Sequence, residues 1–268
     1  IMTYASYARG YKGQAFDIGG GKFSEYAANN PVDSESSNSY ELGVKSILWD
    51  RRLQLNVDVF YTTYEDFQVQ RTDLIDNAVV FELDNVGELV TQGIELDSLI
   101  LLGENIALTM NASYIDASAN DYDGAACWSG QTAAEGCVLG LQNVDNGRLP
   151  VSPEWKYTAM LDYKIPFDSM PFDAFANIIY TWQDDTIFNI NQDPSLTQGS
   201  YGLTNLRLGL NDEEGRYRLT FFANNLFDKA YASNKINLTQ LFAPGLTIGQ
   251  VLPRSAQRYV GVQARYNF

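Results

Sequence analysis

Histidine is absent from this chain of 268 residues. Imidazole is the side chain most often used as a general base near neutral pH, so its absence excludes serine–histidine and aspartate–histidine hydrolysis within this sequence. The aspartates between Asp116 and Gly124 do not have the spacing of a calcium-binding loop. We therefore predict no catalytic residues, no metal site, no cofactor and no enzymatic activity.

Basic residues are also scarce, since 18 Lys and Arg stand against 33 Asp and Glu, a net charge of −15. A chain this acidic repels phosphate backbones and offers them no basic stripe. Nucleic acid is therefore not a predicted partner.

Long apolar runs are missing as well. The longest are about four or five residues, such as Leu99 to Leu102, whereas a helix that crosses a bilayer needs about 20. The sequence therefore predicts no transmembrane helix.

The chain has only two cysteines, Cys127 and Cys137, in the loop-like stretch CWSGQTAAEGC. They lack Cys-x-x-Cys spacing, and no histidine is available to complete a metal site with them. The interpretation we favour is a disulfide that closes a small loop in an oxidising compartment, and the alternative is two free thiols.

The dominant pattern in the chain is an alternation of apolar and polar residues. Leu53, Leu55, Val57, Val59 and Tyr61 alternate with polar residues, and the same period recurs along the chain to the closing stretch QRYVGVQARYNF. A period of two predicts β-strands with one apolar and one polar face, and we count about ten of them.

The predicted strands are joined by turns of two very different lengths. Short turns are predicted at Asp50, Gly103, Ser169 and Glu213. Between them lie five long polar segments, predicted as loops: Gly10 to Asn38, Gln70 to Glu88, Asn120 to Ser152, Asp184 to Gly199, and Asp228 to Ala256. Loops this long are uncommon in compact soluble domains.

Two architectures fit this pattern: a soluble sandwich, and a membrane barrel whose apolar face meets lipid. The alternations extend over about 9 to 12 residues, the length of a tilted strand that crosses a bilayer. Aromatic residues cluster at strand ends, as in the girdles of outer-membrane barrels. They are Trp49, Tyr61, Tyr64, Tyr114, Trp155, Tyr163, Phe172, Trp182, Tyr217, Tyr266 and Phe268. We therefore favour the membrane barrel.

Several stretches resemble the C-terminal half of TonB-dependent outer-membrane receptors. They are YASYARGYKG from Tyr4, YELGVKSILWDRRLQLNVDVFYTTYEDFQVQ from Tyr40, DNVGELVTQGIELD from Asp84, FFANNLFDKAY from Phe221, and the closing RYVGVQARYNF. The resemblance covers essentially the whole chain, and its most specific features are the Asn-Leu-Phe-Asp segment at Asn225 to Asp228 together with the terminal Phe268.

The resemblance implies an all-β fold: an antiparallel transmembrane β-barrel segment of about ten strands with short periplasmic turns and long extracellular loops. Residues 1–268 would form the C-terminal portion of the barrel domain, without the plug domain that fills the lumen in this family. The alternative is a self-contained ten-stranded barrel with an adhesive or enzymatic role.

The same resemblance implies a location in the outer membrane of a Gram-negative bacterium, in contact with lipid and lipopolysaccharide. The function would be energy-coupled uptake of a scarce small molecule, such as a ferric siderophore or another iron chelate. Further partners would be the plug domain, the inner-membrane energising complex and the barrel-assembly machinery. The assembly machinery would recognise the aromatic residues at the end of the chain, Tyr266 and Phe268.

Within the predicted loops, three aromatic residues are candidates for contact with a ligand. Trp128 lies inside the predicted disulfide ring, and a ring limits the entropy lost when a ligand orders the loop. Phe188 and Tyr201 flank another long loop. The competing interpretation is that the disulfide only stiffens an exposed loop against proteolysis.

Overall fold

The computed structural model describes residues 1–16, 31–75, 78–239 and 247–268. In chain order the strands are β1 (Met2–Lys12), β2 (Glu35–Leu48), β3 (Leu53–Ile75), β4 (Ala78–Leu101), β5 (Ile106–Asp121), β6 (Asp123–Ala126), β7 (Leu141–Asn143), β8 (Gly147–Arg148), β9 (Trp155–Ile165), β10 (Phe172–Gln183), β11 (Thr186–Ile187), β12 (Thr197–Gln198), β13 (Tyr201–Asp212), β14 (Tyr217–Asn224), β15 (Asn234–Asn237), β16 (Ile248–Val251) and β17 (Tyr259–Tyr266). Short 3₁₀ turns lie at Ala133–Glu135, Pro194–Leu196 and Arg254–Ala256.

Ten of these strands form one antiparallel sheet in which each strand pairs with the next along the chain. The order is β1-β2-β3-β4-β5-β9-β10-β13-β14-β17, and β8 adds a short pairing to β5. The remaining strands form small two-stranded sheets within the long connections. The predicted all-β fold of about ten antiparallel strands is confirmed.

The register of the sheet places the apolar residues of nine strands in a single row. Each member of the row is the direct partner of the next: Leu48, Leu53, Ile100, Leu108, Leu161, Ile178, Leu206, Ala223 and Val260. Most of the large side chains of this apolar face remain exposed, and Val262 is 69% exposed. An apolar face that the described residues leave uncovered fits contact with hydrocarbon.

Aromatic residues border the apolar face at both ends of the strands. On β10, Phe172 and Trp182 mark the two ends, and about ten steps of ~3.3 Å at a tilt of ~40° give a height of about 25 Å. At one border the Tyr217 and Tyr266 rings lie 5.0 Å apart; at the other the Tyr157 and Trp182 rings stack at 5.2 Å. Two aromatic girdles therefore flank an apolar band of membrane thickness.

Tyr64 does not belong to these girdles, so its assignment from sequence is wrong. Its register position alternates with that of Tyr61, which places it on the opposite face of β3. There the Tyr64 ring packs edge-on against Phe67, 5.8 Å away. Tyr64 therefore contributes to packing among the loops.

The opposite, polar face carries glycines that are covered by aromatic rings of the neighbouring strand. A Cβ at Gly209 would lie 2.6 Å from the Phe175 ring, and the same arrangement occurs at Gly43 with Tyr4 and at Gly261 with Phe222. The missing side chain is what allows the ring to lie flat against the sheet. These pairs fill part of the polar face with aromatic surface.

The sheet has two unlike ends, which we call the short-turn end and the long-loop end. The turns predicted at Asp50, Gly103, Ser169 and Glu213 lie at the short-turn end. At the other end, the prediction of a loop from Gln70 to Glu88 is wrong. Strands β3 and β4 remain paired there, from Glu65 opposite Glu88 to Ile75 opposite Ala78. The predicted loop from Gly10 to Asn38 lies partly outside the described residues, and its two ends are strand instead, since β1 extends to Lys12 and β2 begins at Glu35.

Strands β1 and β17 form the two edges of the sheet and do not pair with each other in the described part of the chain. The self-contained ten-stranded barrel would require that pairing, so the sheet as described is a partial barrel. Among the described residues, no helix is both long and apolar enough to cross a membrane.

Arginine placed on the two faces of β17 tests this assignment of faces. Val262→Arg in the intact protein is expected to destabilise the membrane-inserted state by about 2 to 4 kcal/mol, because the guanidinium would enter hydrocarbon. The measurement is the urea dependence of folding into lipid vesicles.

Gln263→Arg is the matched control, because the adjacent residue lies on the polar face. Its cost is expected to stay well below that of Val262→Arg. Equal costs for the two variants would contradict the assignment of faces.

Candidate functional site

Three long connections meet at the long-loop end: residues 122–154 (the first loop), 184–200 (the second loop), and 225–239 with 247–258 (the third loop). We call them together the loop assembly. Two of the residues predicted to contact a ligand, Trp128 and Phe188, lie in these loops, and the third, Tyr201, directly follows the second loop. The packing of the loops against one another therefore defines the candidate site.

The first two loops share a small hydrophobic core with the ends of strands β4 and β5. Leu89 is the most buried large side chain in it, at 1% exposure. The buried members are Leu89, Ala119, Tyr122, Ala125, Val144 and Ile190, with Tyr64, Phe67, Val69 and Leu149 packed against them. The assembly therefore rests on the ends of β3, β4 and β5 that lie next to the long loops.

Gln142 is the buried link between the disulfide ring and the second loop. Its side-chain amide donates to the Ala126 carbonyl at 3.0 Å and to the Asn191 carbonyl at 2.8 Å, and its oxygen accepts from the Gln131 amide at 2.8 Å. All three bonds come from one side chain with 7% exposure. Gln142 therefore fixes two loops that are far apart in the sequence.

A second link between these loops is ionic. The Arg148 guanidinium donates to the Asp185 carboxylate at 2.7 Å and to the Asp185 carbonyl at 2.8 Å. The Gln192 amide donates to the Arg148 carbonyl at 2.9 Å. Arg148 is thus held through both its side chain and its backbone.

Asp193 joins the second loop to the third. One carboxylate oxygen accepts from the Ser195 backbone N–H at 2.9 Å, and the other accepts from the Asn237 amide at 3.0 Å. Nearby, the Lys235 ammonium donates to the Thr197 carbonyl at 2.5 Å. Since Asp193 is only 2% exposed, its own bonds lie away from water.

The Asn-Leu-Phe-Asp motif closes the third loop onto β17. Asn225 has a φ of 49°, and its amide donates to the carbonyls of Lys229 at 3.0 Å and Ser255 at 3.1 Å. Asp228 accepts from the Arg258 backbone N–H at 2.7 Å. The motif therefore acts as a structural clasp between the end of β14 and the start of β17.

The structure joins Cys127 and Cys137 by a disulfide, with their Cα atoms 5.7 Å apart. Trp128 lies half-buried inside this ring, and its backbone N–H donates to the Gln131 side chain at 3.1 Å. Beyond the ring, Leu139 is 99% exposed at the tip of a turn with a φ of 55°. The first loop thus exposes apolar surface at Leu139, two residues beyond the ring.

The other two candidate contact residues are carried by different elements, Phe188 by the second loop and Tyr201 by the start of β13. Phe188 is half-buried in the second loop, where its N–H donates to the Leu196 carbonyl at 3.0 Å. Tyr201 begins β13 and stacks on Tyr231 of the third loop, with ring centroids 4.3 Å apart. The structure places each of the three residues in a different part of the assembly, and Gln142 ties the loops of Trp128 and Phe188 together.

Two carboxylates of the first loop are held in their charged form. The Thr132 backbone N–H and hydroxyl donate to Glu135 and lower its pKa. The Tyr122 backbone N–H, at 2.8 Å, and the Asn143 side chain lower the pKa of Asp145. Both carboxylates stabilise turns of the loop.

The candidate site consists of aromatic side chains carried by the loop assembly. Among the described residues, no group of three or more His, Cys, Asp and Glu side chains is placed to hold a metal ion. What the assembly offers is aromatic rings on loops that are fixed by buried hydrogen bonds. Such rigid presentation reduces the entropy cost of binding.

An antiparallel sheet with an exposed apolar band, two aromatic girdles and long loops at one end is the wall of an outer-membrane β-barrel. Residues 1–226 match the family model described as TonB dependent receptor-like, beta-barrel, and the chain belongs to this family. The family is one of receptors and transporters of the Gram-negative outer membrane.

Solved structures of this class resemble the chain along nearly its whole length. The ferric yersiniabactin uptake receptor FyuA from Yersinia pestis has a TM-score of 0.72 and 19% identity, and the match covers 99% of this chain and 35% of that one. The ferric preacinetobactin receptor BauA from Acinetobacter baumannii has a TM-score of 0.62 and 18% identity, and the match covers 99% of this chain and 34% of that one. The copper transporter OprC has a TM-score of 0.66 and 15% identity, and the match covers 99% of this chain and 37% of that one.

These structures confirm the predicted fold, a partial transmembrane barrel. The chain spans about a third of the length of the solved structures it matches.

Replacing the buried link Gln142 by leucine is expected to loosen the loop assembly. The substitution leaves the Ala126 and Asn191 carbonyls without their donor, at a cost of about 1 to 3 kcal/mol. Hydrogen exchange followed by mass spectrometry should become faster in the first and second loops, with no change in β9 and β10. Leu141→Ala, at the exposed neighbouring position, is the control and should leave exchange unchanged.

The lowered pKa of Asp145 predicts a pH-dependent turn in the first loop. The carboxylate's contribution is complete above its ordinary pKa of 3.8 and is lost as the pH falls through the lower folded value. Protection of the Tyr122 amide, corrected for intrinsic exchange, should therefore stay constant down to about pH 5 and decrease below about pH 4. Asp145→Asn keeps an acceptor without a titrating group, so the same loss of protection in this variant would refute the assignment.

Proposed function

We propose that this chain is the C-terminal portion, residues 1–268, of the barrel domain of a larger receptor. That receptor would import a scarce small molecule across the outer membrane of a Gram-negative bacterium, with a ferric siderophore as the cargo class. The observation that carries the proposal is the match of 99% of the chain to receptors whose names state ferric siderophore cargo.

The loop assembly supports a role in ligand capture. Its loops lie at the end of the sheet opposite the short turns, which is the extracellular end in outer-membrane barrels. Trp128, Phe188 and Tyr201 would supply aromatic contacts to the ligand there, as anchors on fixed loops.

The partners follow from the proposed receptor. The polar face would line a lumen that a plug domain fills, and import would draw on an inner-membrane energising complex. The apolar face would contact lipid and, towards the cell exterior, lipopolysaccharide. Tyr266 and Phe268, whose rings lie 4.8 Å apart, would form the signal for the barrel-assembly machinery.

Iron uptake by the intact receptor tests the cargo class. A strain that lacks the gene should lose growth on at least one siderophore of a panel under iron limitation, and should lose uptake of radioactive iron from that siderophore. The intact gene should restore both. Growth equal to that of the parent strain on every siderophore, or uptake of copper alone, would contradict the proposal.

Alanine at Trp128, Phe188 and Tyr201 tests the contact residues in the same strain. Loss of one aromatic anchor of about 1.4 kcal/mol should weaken siderophore binding about tenfold at unchanged surface levels. Trp49→Ala is the matched control, because Trp49 is 68% exposed at the short-turn end. Unchanged affinity in all three variants would remove these residues from the site.

A further inference from the structure

Two arginines face each other directly across the β14–β17 pair. Arg218 of β14 is the register partner of Arg265 of β17, and both project from the polar face, one position away from the apolar pair Leu219 and Ala264. Like charges in directly opposite positions destabilise an antiparallel pair. The arrangement therefore requires a compensating interaction.

No carboxylate of the described residues lies within ion-pair distance of either arginine. Three of the nearby acidic groups have other partners: Glu214 pairs with Arg216, Asp173 pairs with Lys164 at 2.8 Å, and Asp212 accepts from the Tyr217 backbone N–H at 2.7 Å. Glu213 lines the same recess without forming an ion pair with either arginine. Within the described part of the chain, the two arginines thus have no direct ion-pair partner, although the net charge of the protein is −15.

Both guanidinium groups are held in position by uncharged neighbours. The Arg218 guanidinium lies over the Phe175 ring at 4.4 Å, and that ring lies flat because Gly209 has no side chain beneath it. Arg265 donates from Nε to the Asn267 side chain at 2.9 Å, and Asn267 in turn donates to the Gly215 carbonyl at 2.7 Å. No described residue accepts a hydrogen bond from the terminal nitrogens of either arginine.

The two arginines line one recess on the polar face near the short-turn end. Its other polar lining residues include Lys164, Asn211, Asn267, Asp173, Asp212 and Glu213. Planar guanidinium groups bind carboxylate and phosphate oxygens with paired, charge-assisted hydrogen bonds. Two of them beside one recess provide donors for a single oxyanion and remove their own repulsion when it binds.

We propose that Arg218 and Arg265 form an oxyanion-binding site on the polar face, which takes a carboxylate or phosphate group. The group is either a carboxylate of another segment of the protein that lies against this face, or a free anion. The proposal goes beyond the uptake function, since it lies at the end of the sheet opposite the loop assembly.

Substitutions at Arg265 are expected to shift the temperature midpoint of unfolding in opposite directions, depending on whether an oxyanion is bound. The intact receptor, purified in detergent, is compared with Arg265→Gln and Arg265→Glu by the temperature midpoint of unfolding. If an oxyanion occupies the site, Gln lowers the midpoint and Glu lowers it further, because a carboxylate would repel the bound group. If the arginines only repel each other, Gln raises the midpoint and Glu raises it more, by pairing with Arg218.

Added phosphate distinguishes the source of the oxyanion. With a free anion, inorganic phosphate at constant ionic strength raises the midpoint of the unchanged receptor and not that of Arg265→Gln. With a carboxylate of the protein itself, phosphate has no effect and Arg265→Gln unfolds at a lower temperature in both buffers. Arg216→Gln, in the adjacent turn, is the control and should behave as the unchanged receptor does.

Either of these two results supports the site. The proposal is overturned if Arg265→Glu unfolds at or above the temperature of Arg265→Gln in both buffers, because loss of the Asn267 hydrogen bond alone would lower both midpoints without an oxyanion.

Discussion

The backbone hydrogen bonds of the sheet are the constraint on which the rest of this structure depends. Hydrocarbon offers no partner for an N–H or C=O group, so a strand that crosses a bilayer must pair along its whole membrane length. The pairing here is unbroken through the apolar band, and the register shift between Glu88 and Leu89 lies beyond that band. Uninterrupted register in turn fixes which side chains face lipid and which face the polar side.

The loop assembly is held together by side-chain hydrogen bonds rather than by backbone pairing between strands. Its links are buried polar side chains, above all Gln142, Asp193 and Asn225, each between 2% and 7% exposed. Hydrogen bonds of this kind are stronger away from water, and a missing partner is correspondingly costly. The loops are therefore fixed relative to one another as well as to the strands.

Sequence alone predicted the strands and their two faces because a period of two is a local signal. It failed from Gln70 to Glu88, where β3 and β4 rise beyond the apolar band and no longer need an apolar side, so their polar composition suggested a loop. Tyr64 was wrongly assigned to an aromatic girdle because it lies near a strand end, although its position in the register puts it on the polar face of β3. Gln142 and Asp193 could not be recognised, since their partners Asn191 and Asn237 lie 49 and 44 residues away.

The unequal lengths of the strands make one side of this sheet taller than the other. Strands β3 and β4 have 23 and 24 residues, whereas β9 has 11, so one side of the sheet rises about a dozen residues above the other. The loop assembly leans on that taller side through Phe67 and Val69. The taller strands thus form a wall on one side of the loop assembly, and the shorter strands β9 and β10 carry the first and second loops at their ends.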